Sequence, residues 1–452
     1  MPQGRWLLSP AQLAGYESDG LGYKRYRPAA VAIPANASEL IALVRALRDE
    51  AIPFTIRGAG TSLSGGPVAA QGGIVIHLSQ LRRIEEVNPR GMYAVVESGV
   101  VLNHLDEVLT ARGLYYPPDP SSGPVCTLGG NVATNAGGVH CFQYGVTSNY
   151  VLGIEAVLLD GSVVQFGGPA GGRGEWRDDW KRLFVGSEGT LGAFTRLWLR
   201  VIPRPEKVWT FRATYRGIAE ASSAIARLAT HPACPAAIEL MDPRSVAMVE
   251  NSPMAVGLPA DRFMLLAEID GPAALVDRRI MSVVAAMRDC GADDVMYGDQ
   301  PAIRAGLWKA RKAQGGLLGQ ISPDFVVQDA VIPKERLAEV LQFIYDAADE
   351  CGIAVATVMH AGDGNLHPNF LFDARRPDQV DAVHELGKGL MQRVMAVGGT
   401  LSGEHGIGND KAHYMAEFLG ADGAKMQFAV PRVFNPRHQL NPLKIFPERR
   451  FA

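Results

Sequence analysis

Cysteine is scarce in this chain. There are five, at Cys126, Cys141, Cys234, Cys290 and Cys351, an odd number with no Cys-x-x-Cys pair. That excludes a disulfide framework, a cysteine-type zinc site and an iron–sulfur cluster. Long apolar runs are also missing: no stretch reaches the roughly 18 uninterrupted apolar residues of a membrane span. Met1 to Gly20 has no apolar core of a signal peptide, so the mature chain is expected to start near Met1 and to be cytoplasmic. Excess charge of either sign is lacking too. A net charge of −3 gives no reason to expect nucleic acid or an anionic membrane surface as partner. Internal repeats and low-complexity segments are absent.

What is present is glycine, 50 residues of it in clusters, in a chain of 452 residues. The length predicts two domains, or three. Ser38-Glu39 reads as a helix start, with Leu40, Leu43, Val44 and Leu47 on one face. Strands are predicted at Pro53–Arg57, Ile74–Leu78, Tyr93–Val96 and Ile154–Leu159, the last ended by Asp160-Gly161, with a helix at Leu102–Arg112. Pro203-Arg204-Pro205 reads as a linker. Beyond it strands alternate with amphipathic helices, clearest at Arg336–Glu350 and again from Gln379 to Val397. The mixture predicts an α/β or α+β fold. Its expected parts are a domain over 1–205, a second over 206–412, and a segment over 413–452 that returns to the first.

Three glycine-rich segments stand out: Arg57-Gly58-Ala59-Gly60-Thr61-Ser62-Leu63-Ser64-Gly65-Gly66, Gly129-Gly130-Asn131-Val132-Ala133-Thr134-Asn135-Ala136-Gly137-Gly138, and Gly186-Ser187-Glu188-Gly189-Thr190-Leu191-Gly192. Successive backbone N–H groups in such a loop make an anion nest suited to a pyrophosphate. The first is neither a P-loop nor the Gly-x-Gly-x-x-Gly of the dinucleotide fold, and alone it equally fits a flexible surface loop. Tyr116-Pro117-Pro118-Asp119-Pro120-Ser121-Ser122 forms a rigid turn before the second segment.

Together these motifs resemble the FAD-binding domain of the vanillyl-alcohol-oxidase flavoprotein superfamily, on the side of the glycolate oxidase flavin subunit and the D-lactate and D-2-hydroxyglutarate dehydrogenases. The resemblance runs from about Tyr26 to Lys444. It implies a PCMH-type domain that holds FAD through Arg57, Gly58, Ala59, Gly60, Thr61, Ser62 and Gly65. Pro118, Asp119 and Ser122 of the turn join them, with Gly129, Gly130, Asn131, Ala133, Thr134, Asn135, Gly137 and Gly138. Tyr144, Gly145, Glu188, Gly189, Gly192 and Asn441 complete the implied set. Members that attach flavin to histidine do so at the position of Thr61, so the flavin is expected to be non-covalent. Cys126, close to the second segment, is the other conceivable attachment point.

Ile353 to His360 reads as a buried strand, and His367 to Phe372 as its return. A hairpin closed by the six residues between them would set His360 opposite His367, with Cβ atoms about 5 Å apart. Asn369 would project from the same face. Ser402-Gly403-Glu404-His405-Gly406-Ile407-Gly408 adds a carboxylate and a further imidazole. His360, His367 and Glu404 make a His/His/carboxylate set for a catalytic metal, zinc by donor type, with manganese or iron as alternatives. A locally extended backbone would point Glu404 and His405 in different directions, one to the metal and one to act as base. The resemblance likewise implies metal ligands and a catalytic histidine in these segments.

A carboxylate substrate needs a fixed cation. In Leu307-Trp308-Lys309-Ala310-Arg311-Lys312, Arg311 is the candidate that can bind bidentately, and the resemblance places a substrate arginine there. Hydroxyglutarate enzymes carry further cationic and hydroxyl contacts where this chain has Gly315 and Val327, whereas Asn369 matches an asparagine they use. The resemblance thus implies an oxidoreductase. It takes a small D-2-hydroxy acid, of glycolate or D-lactate type, to the 2-oxo acid, with Arg311 and Asn369 on the substrate and His405 as base. Rival readings are a D-2-hydroxyglutarate-type dehydrogenase, an O2-using oxidase, a non-catalytic FAD-domain subunit, and a metal-dependent hydrolase. Electrons would leave to a quinone, an electron-transfer flavoprotein or an iron–sulfur subunit. The chain would act in a glycolate-oxidase-type complex or as a homodimer, peripheral at a membrane through a partner if not free in the cytoplasm.

Overall fold

In the computed structural model, residues 5–168 and 179–446 are described, so the outermost residues of the expected terminal segments, 1–4 and 447–452, lie outside the described residues. The chain divides into two units. One comprises 1–137, 145–204 and 404–452, and the other 138–144 and 205–403.

In the first unit a short sheet runs in the order Trp6–Leu7, Ala30–Ala32, Ile74–His77, Phe54–Arg57, its last three strands parallel. The helix Ala37–Asp49 buries Leu40, Leu43, Val44 and Leu47 against Phe54 and Ile76. Its cap is Asn36 rather than Ser38, because the Asn36 carboxamide oxygen accepts the Glu39 N–H at 3.0 Å. An antiparallel sheet of five strands follows, in the order Ile84–Asn88, Tyr93–Glu97, Ala193–Arg200, Val151–Val157, Val163–Gly167.

The C-terminal segment contains a helix, Met415–Phe434, broken at Gly420, where φ is +71°. It then returns beside Phe54, which donates to Gln439 O at 2.7 Å and accepts from Asn441 N at 2.8 Å. The segment thus supplies partners for backbone groups of a strand laid down nearly 400 residues earlier.

The second unit is built on an eight-stranded sheet. Its order is Asp294–Gly298, Lys207–Tyr215, Phe263–Gly271, Ala237–Met241, Ala354–His360, Asn365–Phe372, Asp324–Val327, with Ala330–Val331 also on Asn365–Phe372. Every pairing is antiparallel. One face packs the helices Pro243–Glu250 and Pro301–Ile321 through Val246, Val249, Leu307, Trp308 and Leu318, against Ala237, Met264, Leu266, Ala356 and Val358.

The histidine hairpin forms, but not in the expected register. His360 pairs with Asn365, and His367 with Val358. The turn is closed over Ala361–Gly364 by Asp363 N to His360 O and Gly364 N to Ala361 O, and Gly364 takes φ +75°, so Asn365 and Leu366 join the return strand. The two histidines are therefore diagonal neighbours on one face, two residues out of direct opposition.

Asn441 offers a direct test of how the returning segment is held. Its Oδ1 accepts from Ile56 N at 2.8 Å and its Nδ2 donates to Glu188 O at 2.6 Å, with Asn441 and Glu188 buried and Ile56 partly so. Asn441→Leu leaves both backbone groups without that partner, and a loss of roughly 2–4 kcal/mol in denaturant unfolding is expected. Asn441→Asp, which keeps the acceptor, should lose less; equal stability of wild type and Asn441→Leu would show that the returning segment is held otherwise.

Candidate functional site

The glycine segments of the first unit converge. Gly60 and Gly65 take φ +77° and +74°. The loop they shape is braced from within: Arg57 donates to Ser18 O at 3.0 Å and Pro67 O at 3.3 Å, while buried Lys444 donates to Gly65 O at 2.7 Å and Val68 O at 2.8 Å. The second segment is not loop throughout. Leu128–Thr134 is helical because the Thr127 hydroxyl accepts the Gly130 N–H and no breaker follows until Asn135 turns left-handed at φ +54°. Gly58 abuts this cap so closely that a Cβ would lie 2.3 Å from Thr127 Oγ1. The third segment docks on the second through Gly186 N to Val132 O and Glu188 N to Ala133 O. A Cβ on Gly189 would lie 2.5 Å from Asn441 Nδ2. Pro118 is buried, with Asp119 and Ser122 in the turn beside it. Gly138 and Tyr144 belong to the second unit.

The Glu188 carboxylate has a specific job in this unit. It accepts the N–H of Ile407 and of Gly408, each at 2.7 Å, and Ser64 Oγ donates to His405 O at 2.9 Å. Burial pushes the Glu188 carboxyl up to about 7, against the pull of those two N–H groups and of Lys444 and Lys411. The segment carrying Glu404 and His405 is therefore tied to the first and third glycine segments. It is bent rather than extended, with Gly406 at φ +84°, and Glu404 Oε1 approaches His405 Nε2 to 3.4 Å. The expected divergence of the two side chains does not occur, because the bend turns both to one side.

In the second unit a polar row crosses the end of the sheet face that farther along is apolar. Glu239 stands opposite His360, Thr210 opposite Glu268, and Ala237 opposite Glu268. All these side chains share the face of His367 and Asn369. The His360 and His367 ring centroids are 5.1 Å apart. His360 Nδ1 lies 2.7 Å from Glu239 Oε1, and His367 Nδ1 3.2 Å from Gln328 O. Asn369 Nδ2 donates to Ala356 O at 2.7 Å and His367 O at 3.0 Å.

The helix Pro301–Ile321 faces this row with Arg304, Trp308 and Arg311, one helical stripe. Arg311 grips Glu239 through Nε at 2.9 Å and Nη2 at 2.8 Å. Glu268 collects Arg304 Nη2 at 3.1 Å, Trp308 Nε1 at 2.5 Å and the Thr210 hydroxyl, and lies 3.2 Å from His140 Nε2. Tyr144 donates to Asp270 Oδ2 at 2.8 Å.

Glu239, Glu268, Arg304 and His140 were not anticipated from the sequence. A signal existed: each glutamate interrupts a continuous apolar strand, Ala237-Ile238-Glu239-Leu240-Met241 and Leu265-Leu266-Ala267-Glu268-Ile269. A charge there has to be partnered.

Residues 28–167 match the family described as FAD binding domain, and residues 204–445 the FAD linked oxidases, C-terminal domain. The chain is 36% identical over 442 residues to the glycolate oxidase subunit GlcD of Escherichia coli, covering 98% of this chain and 88% of that protein. It is 33% identical to a D-lactate dehydrogenase of Anaerostipes hadrus, covering 94% and 90%. The chain belongs to the FAD-linked oxidases. The 4-ethylphenol oxidase of Gulosibacter chungangensis superposes with a TM-score of 0.80 at 19% identity, covering 99% of this chain and 95% of that one. P-cresol methylhydroxylase gives 0.80 at 15%, covering 98% and 94%.

This FAD-linked oxidase is thus an oxidoreductase with the two-domain, α+β fold of PCMH-type flavoproteins. Its glycine segments suit FAD. They bring left-handed glycines and a buried Ser187 hydroxyl with no protein partner together. Cys126 is a poor attachment point, since it is buried and burial pushes its thiol pKa up. Among the described residues no helix is long and apolar enough to cross a membrane.

Two outcomes follow for the oxidase. Acid precipitation should release free FAD, whereas flavin retained in the washed pellet would mean a covalent bond. The second concerns Glu268. Burial alone would raise its carboxyl, but the His140 hydrogen bond and charge, with Arg304 and Thr210, hold it down at about 2. A depressed carboxyl contributes stability above its unfolded value and loses it as pH falls through the folded one. Wild type should therefore exceed Glu268→Gln by about 3 kcal/mol at neutral pH, taking 1.4 kcal/mol per unit. The gap should close between about pH 4.5 and 2 in urea titrations; a pH-independent gap would place the effect in packing alone.

Proposed function

We propose that this FAD-linked oxidase converts a small D-2-hydroxy acid, of glycolate or D-lactate type, to the 2-oxo acid. The observation that carries the reading is the buried row in which His360 and His367 share one sheet face and Arg311 of the facing helix reaches it through Glu239. A guanidinium beside paired imidazoles suits an anionic substrate whose hydroxyl must be held and deprotonated. The glycolate oxidase and D-lactate dehydrogenase names of the relatives point the same way.

The proposed metal ligands are His360 and His367, with Glu404 as the carboxylate. Nδ1 of each histidine faces an acceptor, Glu239 Oε1 or Gln328 O, which places a proton on Nδ1 and leaves Nε2 as the ligating atom. The donor set suits zinc, with manganese or iron as alternatives. A bound divalent metal supplies polarisation of the 2-hydroxyl and carboxylate oxygens. Bound FAD supplies the two-electron acceptor for the C2 hydride. The protein's own work is placement: Arg311 binds the substrate carboxylate, Asn369 borders it, and His405 takes the hydroxyl proton.

A hydroxyglutarate-type substrate fits less well. Asn369 spends its amide nitrogen on two backbone carbonyls, and the helix at Gly315 has open space where a distal carboxylate would need a side chain. For the acceptor we propose a quinone, an electron-transfer flavoprotein or an iron–sulfur subunit in preference to O2.

Anaerobic bleaching of the flavin by D- and L-2-hydroxy acids tests the reaction. Glycolate or D-lactate should bleach it, and indifference to the whole panel would overturn the proposal. Extraction with a chelator should abolish bleaching while FAD stays bound; full activity in verified metal-free protein would remove the metal from the scheme. His405→Ala should keep metal and FAD and slow flavin reduction by roughly two to four orders of magnitude, the range for loss of a general base. Reduction at the wild-type rate would assign the proton to another group.

A further inference from the structure

Glu239 is among the most buried charged residues in the chain, at 1% exposure. It lies in an apolar strand and directly opposite His360. Its two oxygens are divided between partners. Oε2 takes both Nε and Nη2 of Arg311, at 2.9 and 2.8 Å, and Oε1 lies 2.7 Å from His360 Nδ1. One carboxylate therefore meets both the residue proposed to hold the substrate anion and a residue proposed to ligate metal.

Elementary chemistry makes this more than a buried ion pair. An ionised carboxylate is an acceptor only. Beside His360 it requires the proton on Nδ1, and that fixes the tautomer in which Nε2 carries the lone pair. Beside Arg311 its Oε2 accepts from Nε and lies 2.8 Å from Nη2, which holds that edge of the guanidinium against the carboxylate. The remaining Nη1 is directed by that contact, not by a free rotor. A glutamine could not repeat this: one of its two positions is an N–H donor, facing either the guanidinium or the imidazole N–H.

We infer that Glu239 is a positioning residue that sets, from a single carboxylate, both the tautomer of His360 and the orientation of Arg311. The metal part of its role rests on the reading proposed above; the tautomer and the arginine geometry do not. A carboxylate behind a ligating histidine tunes metal affinity in proportion to how firmly it holds the ring, and its loss weakens metal binding by about 10–100-fold.

The experiment uses FAD-loaded protein with selectively 15N-labelled histidine, assigned by comparison with His360→Gln. In zinc-free wild type, His360 should show the Nδ1–H tautomer. In Glu239→Gln that signature should be lost or averaged, with FAD content unchanged. Zinc affinity, read by chelator competition, should fall by about 10–100-fold. KM for glycolate or D-lactate should rise more than kcat falls, since Arg311 binds the carboxylate in ground and transition states alike. Glu239→Asp should restore the tautomer in part. If Glu239→Gln does not fold, the double variant Glu239→Leu/Arg311→Met removes both buried charges together, and its His360, with no acceptor at that position, should still lose the signature.

An Nε2–H tautomer in wild type, or an unchanged signature in Glu239→Gln, overturns the inference. Wild type that shows the Nδ1–H tautomer and takes up no zinc overturns the metal reading and leaves Glu239 in its role.

Discussion

A carboxylate removed from water must be surrounded by donors, or it will not stay ionised. That constraint organises both units of this chain. Glu188 meets it only in part, with two backbone N–H groups that pin the segment of His405 while burial still raises its carboxyl to about 7. Glu239 meets it with Arg311 and His360, and Glu268 with Arg304, Trp308 and Thr210. In each case the partners are supplied by an element remote in sequence. Desolvation offsets part of the attraction in these pairs, so net stability is not their whole effect. Their other effect is geometric: a satisfied carboxylate has few other arrangements open to it, and neither have the groups that satisfy it.

The helix Pro301–Ile321 follows from the same requirement. Arg304, Trp308 and Arg311 recur at four and three residues, so they share one stripe. Leu307, Leu317 and Leu318 of the same helix join the apolar cluster with Val246 and Leu266. The sheet face below is apolar over Met264, Leu266, Ala356 and Val358 and polar over Glu239, Glu268 and His360. Polar and apolar parts of helix and sheet have to match in register. A shift of the helix by one residue toward its N-terminal neighbours would set Ile303, Leu307 and Ala310 on the glutamates, so the register is what lets the polar row be buried.

Much of this was legible in the sequence. The family, the α+β class and the histidine hairpin follow from the ordered glycine segments, apolar periodicity and a Gly-rich turn. What failed depended on atoms that the pattern does not encode. The cap at Asn36 instead of Ser38 is decided by a single carboxamide contact. The hairpin register depends on where the turn closes, and Gly364 at φ +75° closes it two residues early. The helix at 128–134 looked like loop because Gly129 and Gly130 were counted as breakers, whereas a capped first turn tolerates them. The helix at 415–434 was hidden by Gly420, Gly423 and Pro431. The bend at 403–406, which turns Glu404 toward His405, leaves no periodic trace.

The acidic residues were the larger omission, and they show where to look in related chains. Histidines and arginines are the chemically active residues of the site. A glutamate in an apolar strand is the more informative sign. An exposed Glu costs nothing and carries no message. A Glu flanked on both sides by Ile, Leu or Ala must be buried, and burial obliges some other side chain to come to it. Glu239 obliges Arg311 and His360 to face one another across it, and Glu268 obliges Arg304 and Trp308. The arrangement of the site can therefore be reasoned from its anions outward. The cations and imidazoles of the second unit lie where the buried carboxylates require them, and the chemistry proposed for them uses the atoms those carboxylates leave.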